Sequence, residues 1–154
     1  MRIFMAVLAS SLAFGLAEAR GQAAEAQRNP PELADIMAGT QLRHLKLSYA
    51  GSLHNWELAE YEVGQMRKSF ALVGTLYPDY QNVPVAKLIN ELGEPALAEL
   101  DKTIKAKNAQ AFFKAFERLN GACNACHQAA GRPFIKIRTP TASPFSNQVF
   151  RPEP

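Results

Sequence analysis

Residues 108–131 read NAQAFFKAFERLNGACNACHQAAG, and this stretch decides how the rest of the chain is read. Asn108 is a helix-capping residue type. Behind it Phe112, Phe116, Leu119, Cys123 and Cys126 step by 4, 3, 4 and 3, the spacing of one buried stripe on an amphipathic helix. Both cysteines therefore extend the apolar face of a helix that Gly131 ends.

Upstream, the same period recurs more cleanly. Trp56, Ala59, Val63, Met66, Phe70, Val73 and Tyr77 step by 3, 4, 3, 4, 3 and 4, a bundle seam in which Met66 and Trp56 are core residues, as Tyr61 is also expected to be. Asn55 is placed to cap this helix and Pro78 closes it. Between the two seams the pattern is interrupted: residues 85–92 form one short helix, Gly93-Glu94-Pro95 breaks or kinks it, and residues 96–107 continue it with Leu97, Leu100 and Ile104 inward. Before them, Pro31 and Glu32 suit a helix first turn. Leu33, Ile36, Met37, Leu42, Leu45, Leu47 and Tyr49 carry that helix to about Ala50, with Gly51 as its stop. The fold class predicted is all-α: a four-helix bundle over residues 27–131 with its third helix interrupted. Residues 132–154 hold five prolines, too many for a long helix. Phe134, Phe145 and Phe150 among them imply an extended arm packed on the bundle.

The first residues read as an export signal. Arg2 precedes an apolar run from Ile3 to Leu16, followed by the small-x-small patterns Ala17-Glu18-Ala19 and Ala24-Glu25-Ala26. Residues 1–19 are the expected signal peptide, with residue 26 as the later cleavage point, and a periplasmic location follows. The run is short for a membrane span, so no stable span is expected in the mature chain. Composition, at 47% hydrophobic and 20% charged, is that of a globular domain. A net charge of +3 is too weak for a nucleic-acid binder but suits an acidic protein partner.

Cys123-Asn124-Ala125-Cys126-His127 carries the chemistry. Cys-x-x-Cys-His is the attachment sequence for c-type haem. Spacing of three on a helix puts both thiols on one face, where they can add to the two vinyl groups of one porphyrin, and His127 is positioned as proximal iron ligand. A thioredoxin-like redox pair normally opens a helix after a strand, whereas this pair closes a helix in a chain without strands. A zinc site would need His44 to join Cys123, Cys126 and His127, with awkward adjacent Cys-His ligation.

A bundle with this motif at the end of its last helix resembles the cytochrome c-prime / cytochrome c-556 family. The resemblance covers residues 31–132 and rests on motif position and helix order; the interrupted third helix and the long arm depart from it. It implies one covalent haem c. The family places a Gln on the first helix with the distal residue three positions later, and Gln41 followed by His44 is similar to that pair. Gln41 is thus the expected haem contact, His44 the first candidate for the sixth iron ligand and Met37, two turns nearer the helix start, the alternative. His54 lies in the first turn, away from the haem.

These readings point to a non-enzymatic electron-transfer protein with one haem, since no catalytic pair accompanies the motif. The alternative is a binder of a small gas (NO or CO) at an open or displaceable sixth site. The expected partner is a redox protein of acidic character, and the bundle is compatible with a homodimer. Arg118, Arg132, Lys136, Arg138 and Arg151 form either an ordinary solvated surface or a docking face.

Overall fold

A computed structural model describes residues 30–152; the expected signal peptide and its cleavage points lie outside them. Four antiparallel helical segments make the bundle. Helix α1 spans Leu33–Ser52 and α2 Trp56–Leu76. The third segment is α3 (Val85–Leu88), a π-helical turn (Ile89–Gly93) and α4 (Glu94–Lys105). Helix α5 spans Ala109–Ala129. There is no named strand among the described residues, and the all-α four-helix architecture read from the sequence is the architecture observed.

The two periodic seams are the core. Ala59, Val63, Met66, Phe70 and Val73 of α2 and Phe112, Phe116 and Leu119 of α5 are buried against Leu97, Leu100 and Ile104 of α4. Both expected caps form: Asn55 Oδ1 accepts from Leu58 N at 3.1 Å, and Asn108 Oδ1 from Ala111 N at 2.9 Å. Tyr61 is a correction, half-exposed at 54%. It sits two residues off the seam, so its ring leaves the buried face.

The third segment is not broken at Gly93-Glu94-Pro95. Leu88, Ile89, Gly93 and Glu94 all keep right-handed helical dihedrals. Proline lacks the N–H for an i→i−4 bond, and its ring crowds that carbonyl. A π turn widens the helix one step earlier, with Glu94 N–H reaching Ile89 O five residues back, and the helix passes through Pro95. Gly93 is needed there for another reason: a Cβ would stand 3.0 Å from the Phe70 ring of α2.

Helix α1 also departs from its expectation. Its buried residues are Ile36, Thr40, His44, Leu47, Ser48, Ala50 and Gly51, three of the seven polar, while Leu42 is exposed. Gly51 is inside the helix rather than at its stop. A Cβ on it would fall within the Phe112 ring, so glycine lets α5 approach α1. The chain turns instead at His54, with φ of 60°.

Each neighbouring pair of helices shares a polar tie. Arg43 of α1 meets the buried carboxylate of Glu62 on α2 at 3.4 Å. Arg67 of α2 reaches Glu94 at 2.7 Å and Asp101 at 2.9 Å on α4. Glu99 of α4 pairs through both oxygens with Arg118 of α5. His44 of α1 meets Asn120 of α5 at 2.7 Å. Such ties add little net energy when exposed but fix which helix lies beside which.

Candidate functional site

Burial along α5 fades where the chemistry begins. Phe112, Phe116 and Leu119 are fully covered, while Cys123, Cys126 and His127 are only partly so. The end of the bundle that holds them is closed by half-buried apolar side chains: Leu33 and Met37 of α1, Leu76 and Tyr77 at the end of α2, and Val85 of α3. Cys123, like them, packs against the buried core, and Cys126 Sγ lies 3.9 Å from Leu88 O, at the start of the π turn.

Both cysteines are free thiols. Burial pushes the Cys123 thiol up to about 12, helped by its neighbour Cys126, and burial raises Cys126 as well. Thiols held protonated are poor nucleophiles for disulfide exchange, the reverse of the low-pKa cysteine of a redox-active pair. Among the described residues, no group of three or more His, Cys, Asp or Glu side chains is gathered to hold a metal ion.

His127 is held by the C-terminal arm. Its Nδ1 lies 2.9 Å from Ile135 O; a carbonyl can only accept, so Nδ1 carries the proton, and in the neutral ring that leaves the lone pair on Nε2. The arm is clamped along α5 beyond that point. Asn124 takes both backbone groups of Ile137, with Ile137 N donating to Oδ1 at 2.7 Å and Nδ2 donating to Ile137 O at 2.9 Å. Asn120 Nδ2 donates to Thr139 Oγ1 at 2.9 Å, and the Thr139 hydroxyl donates to Glu117. Residues 117, 120, 124 and 127 form one helical row, and they meet arm residues 139, 137 and 135 in reverse order. About 15 Å of helix rise thus matches about 13 Å of extended chain.

The sequence reading missed Glu117, Asn120 and Asn124. Their signal was available: polar residues at 3 and 4 spacing next to the apolar stripe, ending on His127. The rest of the arm packs on α1. Phe150 is buried with its ring 5.5 Å from Tyr49, Phe145 lies 5.7 Å from Phe150, and Lys46 Nζ stands 5.3 Å over the Phe145 ring. Phe134 corrects the expectation that all three rings are covered: it is 76% exposed. The tight turn from Arg132 to Ile135, closed by Ile135 N donating to Arg132 O, leaves it at the tip.

The candidates on α1 separate. His44 is buried, its ring 4.5 Å from Phe116, with Nε2 against Asn120 Oδ1. Because Asn120 Nδ2 already donates to Thr139, its Oδ1 accepts and His44 Nε2 carries the proton. Desolvation lowers the His44 pKa, partly offset by Asn120 and by the Glu117 charge, so the ring is neutral. Since α1 and α5 run antiparallel with His44 level with Asn120, Met37, seven residues back along α1, is level with His127, seven residues on along α5. Gln41 is exposed to solvent. His54 is in the α1–α2 turn, stacked on Trp56, beside a cavity of about 500 Å³ that Lys107 and Arg151 also line.

No helix among the described residues is long and apolar enough to cross a membrane. Comparison with protein-family models, with curated proteins and with solved structures finds no match for this chain.

Proposed function

We propose that the chain is an exported monohaem c-type cytochrome that transfers electrons, with haem held by Cys123, Cys126 and His127. The observation that carries this reading is the His127 imidazole directly after two same-face thiols, its Nδ1–H held by Ile135 O and its Nε2 lone pair left for a metal. A second-sphere carbonyl on the far nitrogen is the usual way a ligating histidine is oriented. The half-buried apolar rim of Leu33, Met37, Leu76, Tyr77 and Val85 suits a large flat apolar group, and the donor set suits iron in a porphyrin.

Cys123 and Cys126 would hold the haem as thioethers, each sulfur gaining one vinyl carbon and the thiol proton going to the other, with no net redox change. The haem supplies a one-electron Fe(III)/Fe(II) couple. His127 would hold the iron in a fixed tautomer set by the arm carbonyl of Ile135. Met37, level with His127 on α1, would be the second side chain able to reach it. His44 is set two turns deeper with its Nε2 proton given to Asn120, and it supports the helix contact.

The test is a pair of oxidised and reduced absorption spectra of protein made in a host that matures c-type cytochromes. Low-spin iron in both states, turned high-spin by Met37→Ala but not by His44→Gln, is the expected result. High-spin five-coordinate iron in the wild type favours the gas-binding alternative. A protein that takes up no haem overturns both.

A further inference from the structure

The arm that orients His127 also displays a row of side chains to solvent. Ile135, Ile137 and Thr139 are consumed by contacts to α5, and the alternate side chains Lys136 and Arg138 are exposed with no ion pair, next to the exposed ring of Phe134. Arg132 is held in place by Gln81 Oε1 at 2.9 Å, a neutral partner that leaves its charge unbalanced. Gln81 sits in a tight two-residue turn with φ of 52°, so the neighbouring loop presents that side chain at a strained backbone position. From residue 132 to residue 152 the chain contains four basic residues and no acidic one. Glu117, the carboxylate that the arm meets through Thr139, is occupied by Thr139 and Asn120.

By contrast, Arg43, Arg67, Lys87 and Arg118 are each paired with an acid. At Lys136 and Arg138, positive charge without an ion pair stands beside an exposed apolar ring, on a backbone fixed by hydrogen bonds. We propose that Phe134, Lys136 and Arg138, with Arg132 behind them, are the docking surface for an acidic redox protein. Charge complementarity selects the occupant: the row attracts a negative face and repels a second copy of this chain, which is itself net positive at +3. Phe134 supplies the apolar centre that such interfaces surround with charge. The surface begins five residues past His127, on the segment that bonds it, so a docked partner sits against the haem side of α5. The identity of the partner as a redox protein rests on the function proposed above.

The experiment is a titration of the full-length mature protein with a flavodoxin, a small acidic redox protein. Binding is followed by calorimetry and by backbone NMR at low and at high salt. The expected result is binding that perturbs residues 132–139 and weakens as salt rises. The double variant K136E/R138E should weaken it about 10-fold or more, and Phe134→Ala about 5-fold, as removal of central interface groups does. The control is K102E/K105E, an equal change of charge on exposed lysines in the last turn of α4, which should change affinity less than about 2-fold, as distant rim charges do. Equal losses in the two double variants would reduce the effect to net charge and overturn the proposal. So would no salt-dependent binding, or binding only to anionic phospholipid vesicles. Neither readout needs haem: a haem-free chain that still binds through this row would sink the proposed function and leave the surface standing, while a haem-bearing chain that ignores the flavodoxin would do the reverse.

Discussion

The two ends of the bundle are built on opposite principles. At the end with the α1–α2 turn, small residues bring helices into contact: Gly51 lies under Phe112, Ala50, Ala59 and Ala115 are fully covered, and the Trp56 ring meets Phe112 edge-on at 6.1 Å. At the thiol end, apolar side chains are only half covered, and the covering element is an extended arm held by polar side chains. Tight packing supplies most stability per residue, so the helix contacts around Gly51 and Phe112 carry more of the fold than the half-covered side chains around the thiols.

The largest effect should come from disturbing the closed end. Gly51→Ala adds one methyl where the Phe112 ring already stands, and the helix propensity gained cannot offset the repacking, which should cost about 3 kcal/mol in urea unfolding. A neutral or stabilising outcome would mean that the ends are packed alike. Truncation after Arg132 tests the arm, which runs from His127 at the thiol end to Tyr49 near the α1–α2 turn. It removes the buried Phe150 ring and the clamps to Asn124 and His127, and should lower stability by about 2 to 3 kcal/mol while leaving the four helices intact by circular dichroism. An unchanged melting temperature would make the arm an ornament.

A third effect is pH-dependent and sits between the ends. The folded His44 pKa is lowered from 6.5 by burial, so the unfolded chain binds that proton more readily. Stability is then complete above 6.5 and falls as pH drops below it, by up to about 1.4 kcal/mol per pH unit until the folded pKa is passed. His44→Gln, which keeps an N–H for Asn120, should flatten that slope; an unchanged slope would place its origin in other groups. The smallest effect belongs to Phe134→Ala. With its ring exposed, stability should change by no more than about 0.5 kcal/mol, whereas Phe150→Ala should cost about 2 kcal/mol, most of what the whole arm contributes.

Much of this was legible in residue order. The α2 and α5 seams and the Asn55 and Asn108 caps obey local rules, and local rules can be read without a fold. What was not legible depended on a second element. Gly51 reads as a stop until Phe112 is brought against it, and Pro95 reads as a break until the π turn absorbs it. Three phenylalanines in an arm say that something is covered, but not that the turn at Pro133 throws Phe134 outward. His44 has a spacing that reads as a ligand's, but only the fold reveals that Asn120 meets its Nε2. The thiol–His127 sequence was plain from the start. The arm carbonyl that holds the imidazole was not, because Ile135 is linked to His127 only through the way the chain doubles back.

The central claim is tested most directly by the intact mass of the denatured protein, purified from a host that matures c-type cytochromes and extracted with acid-acetone. The account predicts that one haem stays with the polypeptide, giving the chain mass plus one haem, and that the C123A/C126A double variant carries none. Haem that leaves the wild-type chain on extraction, or a wild-type chain of unmodified mass, would contradict it.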